Sequence, residues 1–102
     1  MNWTIQFTDQ SKDDIKEIYR YISYELLETE AADRLYKKLL SRIQGLTEMP
    51  LRFPQYRTKR SLRYFSVDNY LVFYRVIKKS STVQVVRVLY GRRNLNTELK
   101  GK

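Results

Sequence analysis

The residues of this 102-residue chain with chemistry to offer are arginine, lysine and tyrosine, and the cations crowd into its C-terminal half. A basic loop reads Arg57-Thr58-Lys59-Arg60. Arg63, Arg75 and Arg87 stand singly in apolar stretches, and Arg92-Arg93 follow Tyr90 and Gly91. Guanidinium forks suit phosphate oxygens, so Lys59, Arg60, Arg63, Arg75, Arg92 and Arg93 are the expected RNA- or phosphate-binding set. Cleaving RNA needs a base for the 2′-OH proton, a cation to hold the phosphorane and an acid for the leaving oxygen. Tyr90 is the candidate acid or base and Arg87 the catalytic cation. The cations at Arg87, Arg92 and Arg93 would lower the Tyr90 phenol from its ordinary value of about 10. Tyr64, Phe73 and Tyr90 are placed to stack on exposed bases, as in single-strand binders.

What is missing narrows the chemistry further. With no His there is no imidazole acid–base pair, no Ser–His or Cys–His catalyst, and little to ligate a transition metal. With no Cys there is no disulfide framework and no thiolate, as suits a reducing cytosol. Three Gly, at 45, 91 and 101, do not build a phosphate-cradling loop. No metal or cofactor is expected. No apolar run approaches the roughly 18 residues of a membrane span, and Met1-Asn2-Trp3-Thr4 does not open a signal peptide. A soluble cytoplasmic protein is expected, with no membrane partner.

Charge is divided unevenly. Residues 1–50 carry seven Lys/Arg against nine Asp/Glu, a net of −2, and residues 51–102 carry thirteen against two, a net of +11. Solubility alone would be served by mixed signs spread over the surface. A polyanion, or an acidic protein segment, accounts for the asymmetry.

The elements that position these residues follow from periodicity. Asn2–Thr8 alternates, with Trp3, Ile5 and Phe7 on one side, and predicts a half-buried strand. Ser11 with Asp14 makes a capping-box-like start, and Ile15, Ile18, Ile22 and Leu26 recur at helical spacing, giving a helix from about Lys12 to about Leu27. Thr29 is the expected cap of a second helix, whose stripe is Ala32, Leu35, Leu39, Ile43 and Leu46 and whose end is marked by Gly45 and Pro50. Leu51–Thr58 reads as an ordered loop. SLRYFSV (61–67), YLVFYRVI (70–77) and TVQVVRVLY (82–90) are strands joined by a two-residue turn at Asp68-Asn69 and a second turn at Lys78–Ser81. The tail Asn94–Lys102 is polar, a short helix or frayed. One α+β domain over 1–102 is predicted, in the order β-α-α-β-β-β, with the helix hairpin on one face of a mainly antiparallel sheet.

Whether the strand arginines share a face depends on register. A two-residue turn at 68–69 sets Arg63 opposite Tyr74 and Leu62 opposite Arg75, so Arg63 and Arg75 face opposite ways. A four-residue turn at 78–81 also separates Arg75 from Arg87, whereas a three- or five-residue turn or a bulge would unite them. Arginines gathered on the sheet face away from the helices would form a guanidinium cluster.

The stretch Asn69–Leu95, NYLVFYRVIKKSSTVQVVRVLYGRRNL, resembles the signature of RelE/ParE superfamily toxins of bacterial type II toxin–antitoxin modules. Its most specific part is Arg87-Val88-Leu89-Tyr90-Gly91-Arg92-Arg93, and Asp14-Ile15-Lys16-Glu17-Ile18-Tyr19-Arg20-Tyr21-Ile22 agrees with it. The resemblance implies a growth-arresting toxin neutralised by a cognate antitoxin protein. RelE-like members cleave mRNA on the ribosome and ParE-like members poison DNA gyrase. It carries over Arg63, Arg75, Arg87, Tyr90, Arg92 and Arg93. The expected action is ribosome-dependent mRNA cleavage, with ParE-like, non-enzymatic inhibition of gyrase as the alternative and a plain nucleic-acid-binding module third. The VLYGRR phrase is closer to the ParE-type tail.

Overall fold

A computed structural model describes residues 2–91. Strand β1 (Thr4–Phe7) leads into helix α1 (Asp9–Arg20), a π-helical turn at Tyr21–Glu25 and helix α2 (Thr29–Gln44). Strands β2 (Gln55–Tyr56), β3 (Lys59–Val67), β4 (Tyr70–Ile77) and β5 (Thr82–Tyr90) follow. The five strands form one sheet in the order β1-β5-β4-β3-β2. β1 runs parallel to β5 and every other pairing is antiparallel. This is the α+β arrangement expected, with the chain's first strand beside its last.

Several boundaries differ from the sequence reading, each for a local reason. α1 is capped by Thr8 rather than Ser11. The Thr8 hydroxyl accepts from the Ser11 N–H (3.1 Å) and donates to the Val86 carbonyl (2.9 Å), so one side chain starts the helix and ties it to β5. Ser11 is buried, and its own hydroxyl donates back to the Thr8 carbonyl (2.8 Å). The first helix does not continue regularly to Leu27. It widens at Tyr21–Glu25, where the Leu26 N–H reaches the Tyr21 carbonyl (3.1 Å), and then stops. The stop is a left-handed turn one residue wider than the usual helix-ending one: the Glu28 N–H reaches the Ile22 carbonyl (3.0 Å) across Leu27, which is left-handed at φ 55° where glycine is usual. Glu28, not Thr29, occupies the cap position of α2. The stretch read as loop contains the two-residue edge strand β2. The polar tail lies outside the described residues.

The hairpin arithmetic holds where the turns are regular. Arg63 stands opposite Tyr74 across the turn at Asp68, whose φ of 54° aspartate tolerates. Arg75 stands opposite Gln84 across the turn closed by Ser81. Beyond that, the register shifts: Tyr74 pairs with Val85 and Phe73 with Arg87, so Val86 is one residue too many. That bulge re-aims the end of β5.

Two apolar clusters result, one on each side of the sheet. Ile15, Leu35, Leu39, Ile43 and Leu46 of the helical segment pack on Phe65, Val67, Val72, Tyr74, Val83, Val85 and Val88. Leu62, Phe73, Val86 and Leu89 form the second cluster, with Tyr56, Tyr64 and Leu71 against it. Alternation along each strand sends successive side chains to opposite clusters, which is why both faces read as apolar.

Tyr74 is buried and donates to the Pro50 carbonyl (2.6 Å), fastening the segment after α2 to the sheet. Burial pushes its phenol up to about 12, although Arg63 and Arg52 pull the other way. A raised acid of this kind stabilises the fold fully below the unfolded value of about 10, and that stability is lost as pH rises through about 12. Tyr74→Phe leaves the Pro50 carbonyl without its donor and is expected to cost about 1–2 kcal/mol in urea unfolding at neutral pH. The same variant should lose stability less steeply than the parent protein between about pH 10 and 12.

Candidate functional site

The three strand arginines do not share one face, although the bulge at Val86 brings Arg87, opposite Phe73, to the same side as Arg75. Arg63 shares a cross-strand position with Tyr74 on the helix side, and Arg75 lies opposite Gln84, on the other side. The face away from the helices is built instead around Leu62, Phe73, Val86 and Leu89. The cause is the pairing itself: a two-residue turn forces Arg63 and Arg75 apart, and large apolar residues fill the alternate positions.

Among the described residues each expected site residue has a definite place. Arg87 forms a two-pronged ion pair with Asp14: its Nε donates to Oδ2 (2.7 Å) and its Nη2 to Oδ1 (2.9 Å). Both side chains are largely buried, at 12% and 14% exposure. Oδ2 also accepts the Val88 N–H (2.9 Å), so one carboxylate holds a guanidinium and a strand-edge amide together. Arg87 thus has a carboxylate partner within the protein.

Tyr90 is about a third exposed, and its ring sits edge-on to Tyr70 with centroids 5.7 Å apart. The register puts Tyr90 opposite Tyr70, which packs against the helix-side core, and Arg87 opposite Phe73 of the other cluster. The candidate proton carrier and the candidate catalytic cation therefore have no shared face in the sheet. Burial raises the Tyr70 phenol, with Tyr90 and Tyr21 adding to the effect.

Among the binding set, Arg63 Nη1 donates to the carbonyls of Phe53 (2.7 Å) and Leu51 (3.2 Å). Arg60 is exposed and reaches the Gln55 side chain (3.5 Å), while Gln55 returns a bond to the Arg60 carbonyl (3.1 Å). Lys59 opens β3 opposite Tyr56. Arg75 Nε is buried with no hydrogen-bond partner among the described residues. Arg92 and Arg93 lie outside the described residues. Among the described residues no group of His, Cys, Asp or Glu could hold a metal, and no helix is long and apolar enough to cross a membrane.

Two features escaped the sequence reading. An open apolar groove of about 320 Å³ runs between the helices and the end of β1, lined by Phe7, Ile15, Tyr19, Tyr36 and Leu40 with Lys12 and Lys16 at its rim. Tyr19 and Tyr36 meet edge-on there (6.1 Å), and Tyr19 donates to Asp33 (2.6 Å). Second, Arg42 and Arg52 cover the rings of Phe65 and Phe53 at 5.5 and 4.8 Å from the ring centroids. Helical spacing gives the tyrosines of the groove as core or edge residues. Nothing in the spacing connects Arg42 with Phe65.

The family model of the ParE toxin of the type II toxin–antitoxin system parDE matches residues 5–95. No curated protein matches the sequence. Among solved structures, the chain is similar to the chromosomal ParDE system of P. aeruginosa, with TM-score 0.74 at 14% identity over 86% of this chain and 95% of that one. It is similar to a mutant of the E. coli toxin RelE in the free state (TM-score 0.65, 17% identity, 96% and 93% covered). It also resembles the archaeal RelE–RelB complex of Pyrococcus horikoshii OT3 (TM-score 0.62, 14% identity, 91% and 99% covered). At these identities the structural likenesses speak for the fold.

Asp14→Ala strands the Arg87 guanidinium and the Val88 N–H together and is expected to cost about 3 kcal/mol in urea unfolding. Arg87→Ala should cost less, because Asp14 keeps the Val88 N–H. A double-mutant cycle between them should give a coupling of at least about 1.5 kcal/mol, and a value near zero would remove the pair from the account of the fold.

Proposed function

The chain belongs to the ParE toxin family of type II toxin–antitoxin systems, and from that premise we propose that it arrests growth by inhibiting DNA gyrase, without cleaving RNA. The observation that carries this reading is the Arg87–Asp14 pair. A nuclease needs a cation free to take up phosphorane charge beside a proton carrier. Here Arg87 is engaged by a carboxylate, Tyr90 stands on a different course of the sheet, and the positions around Arg87 on the helix-free side are filled by the buried Leu62, Phe73 and Leu89. The absence of histidine from the chain points the same way. In this account Arg87 is a structural residue.

Supercoiling and DNA-cleavage assays with purified gyrase, run beside primer extension on translated mRNA, test the proposal. Added protein is expected to inhibit supercoiling while the mRNA stays intact, and Tyr90→Phe should keep the inhibition within about twofold. New mRNA ends that vanish with Tyr90→Phe would overturn the proposal in favour of ribosome-dependent cleavage, for which the exposed Tyr90 edge is the one favourable feature.

A cognate antitoxin is the second partner in this proposal, as RelB is of RelE in the archaeal complex. The groove between the helices and β1 suits an amphipathic segment: its floor is apolar, and Lys12 and Lys16 at the rim favour acidic flanks. Leu40, partly exposed in that groove, can change with little cost to the core. Leu40→Asp is expected to leave the thermal midpoint within a few degrees while weakening antitoxin binding by about tenfold or more, read by calorimetric titration.

A further inference from the structure

We propose that Arg42, Arg52 and Arg63, set around the Phe53–Phe65 ring stack, form a binding site for the phosphodiester backbone of duplex DNA. The two rings stack at 4.9 Å between centroids and 25° between planes. Arg42, from the last turn of α2, lies over Phe65 at 5.5 Å, and Arg52, from the following segment, lies over Phe53 at 4.8 Å. Arg63, from β3, is bound to the Phe53 and Leu51 carbonyls through Nη1. Three guanidiniums from three elements are thus fixed around one pair of rings.

The arrangement differs from an ordinary solvated basic face in two respects. First, a guanidinium lying over a ring uses its face for the cation–π contact and keeps its N–H edge for acceptors in its own plane. Second, none of the three is in an ion pair among the described residues, in contrast to Arg20, Lys38 and Arg87. Glu48, four residues before Arg52, offers it a backbone carbonyl (3.3 Å), and its carboxylate makes no ion pair among the described residues. Side chains held in place yet lacking a counter-charge are preorganised for an anion brought from outside.

The shape of the positive region favours an extended polyanion. Gln55, opposite Arg63 in the sheet, is bonded to Arg60, so the cations continue from the ring stack along the β2 edge toward the basic turn at 57–60. Duplex DNA offers one negative charge per about 1.7 Å of its axis, a density that an edge of this kind can track. The choice of DNA over an acidic polypeptide rests on the proposed action at gyrase, where DNA is already bound.

The test is fluorescence anisotropy of a labelled duplex of about 20 base pairs and arbitrary sequence, titrated with the full chain at several salt concentrations between about 50 and 200 mM. R42Q/R52Q is expected to weaken binding at least tenfold at low salt and to make the log–log salt slope shallower by about 1.8, two contacts at roughly 0.9 each. R42K/R52K should keep the slope, and the control R20Q/R34Q should keep both affinity and slope. Thermal melts establish that each variant is folded, and R52Q alone, at an exposed position, serves if the double variant is not. Unchanged affinity and slope in R42Q/R52Q, or an equal loss in R20Q/R34Q, overturns the site. So does a labelled poly-glutamate whose binding falls with R42Q/R52Q while that of DNA does not. Gyrase inhibition measured on the same proteins keeps the two ideas apart. Inhibition without DNA binding that depends on Arg42 and Arg52 removes this site alone, and DNA binding without inhibition removes the gyrase reading alone.

Discussion

A single carboxylate at the edge of the last strand governs the arrangement. β1 pairs with β5 only as far as Phe7 and Val85, so the next stretch of β5 loses its neighbour just where the bulge at Val86 bends it. Thr8 and Asp14 take over the strand's role there, the first on the Val86 carbonyl and the second on the Val88 N–H. A backbone amide left without a partner in such a place would cost as much as a lost hydrogen bond. Asp14 can be an acceptor there because Arg87 balances its charge, and Arg87 can be largely buried because Asp14 balances it. The helix start, the strand end and the arginine are therefore one unit.

From that constraint follows the division of labour in the molecule. Helix-side positions of the strands go to the main core and the alternate positions to a second apolar cluster, so the strand arginines stand among apolar residues, Arg63 on the helix side and Arg75 and Arg87 on the other. Positive charge is found at the margins instead: Arg42 at the end of α2, Arg52 in the segment after it, the β2 edge, and the basic turn. Among the strand arginines, Arg63 is tied to loop carbonyls and Arg87 to a carboxylate. A fold can carry an arginine in a strand as a structural fastener, and sequence composition cannot distinguish that use from ligand binding.

The same geometry bears on what the toxin can do to its target. Chemistry on RNA would require a proton carrier and a free cation brought within reach of one phosphate. The described surface offers instead an apolar groove with lysines at its rim and a margin of ring-backed arginines.

The sequence by itself determined the order of the main elements, the helix-side positions Ile15, Leu35, Leu39, Ile43 and Leu46 (Leu26, read into the same stripe, is exposed), and the pairing of Arg63 with Tyr74, since these rest on local periodicity and on turn length, which neighbouring residues impose. It also determined the charge asymmetry and, through the Arg87–Arg93 phrase, the family. Tertiary structure decided the rest. The cap at Thr8 was chosen by a carbonyl 78 residues away, and Arg87 was claimed by an aspartate 73 residues earlier. The bulge that shifts β5 arises where the last strand must serve both β4 and the start of α1. The ring stack joins Phe53 to Phe65 and places Arg42 beside them, contacts that no period in the chain encodes. Which cations remain without a counter-charge is fixed by distances between remote segments, and those exist only once the chain has folded.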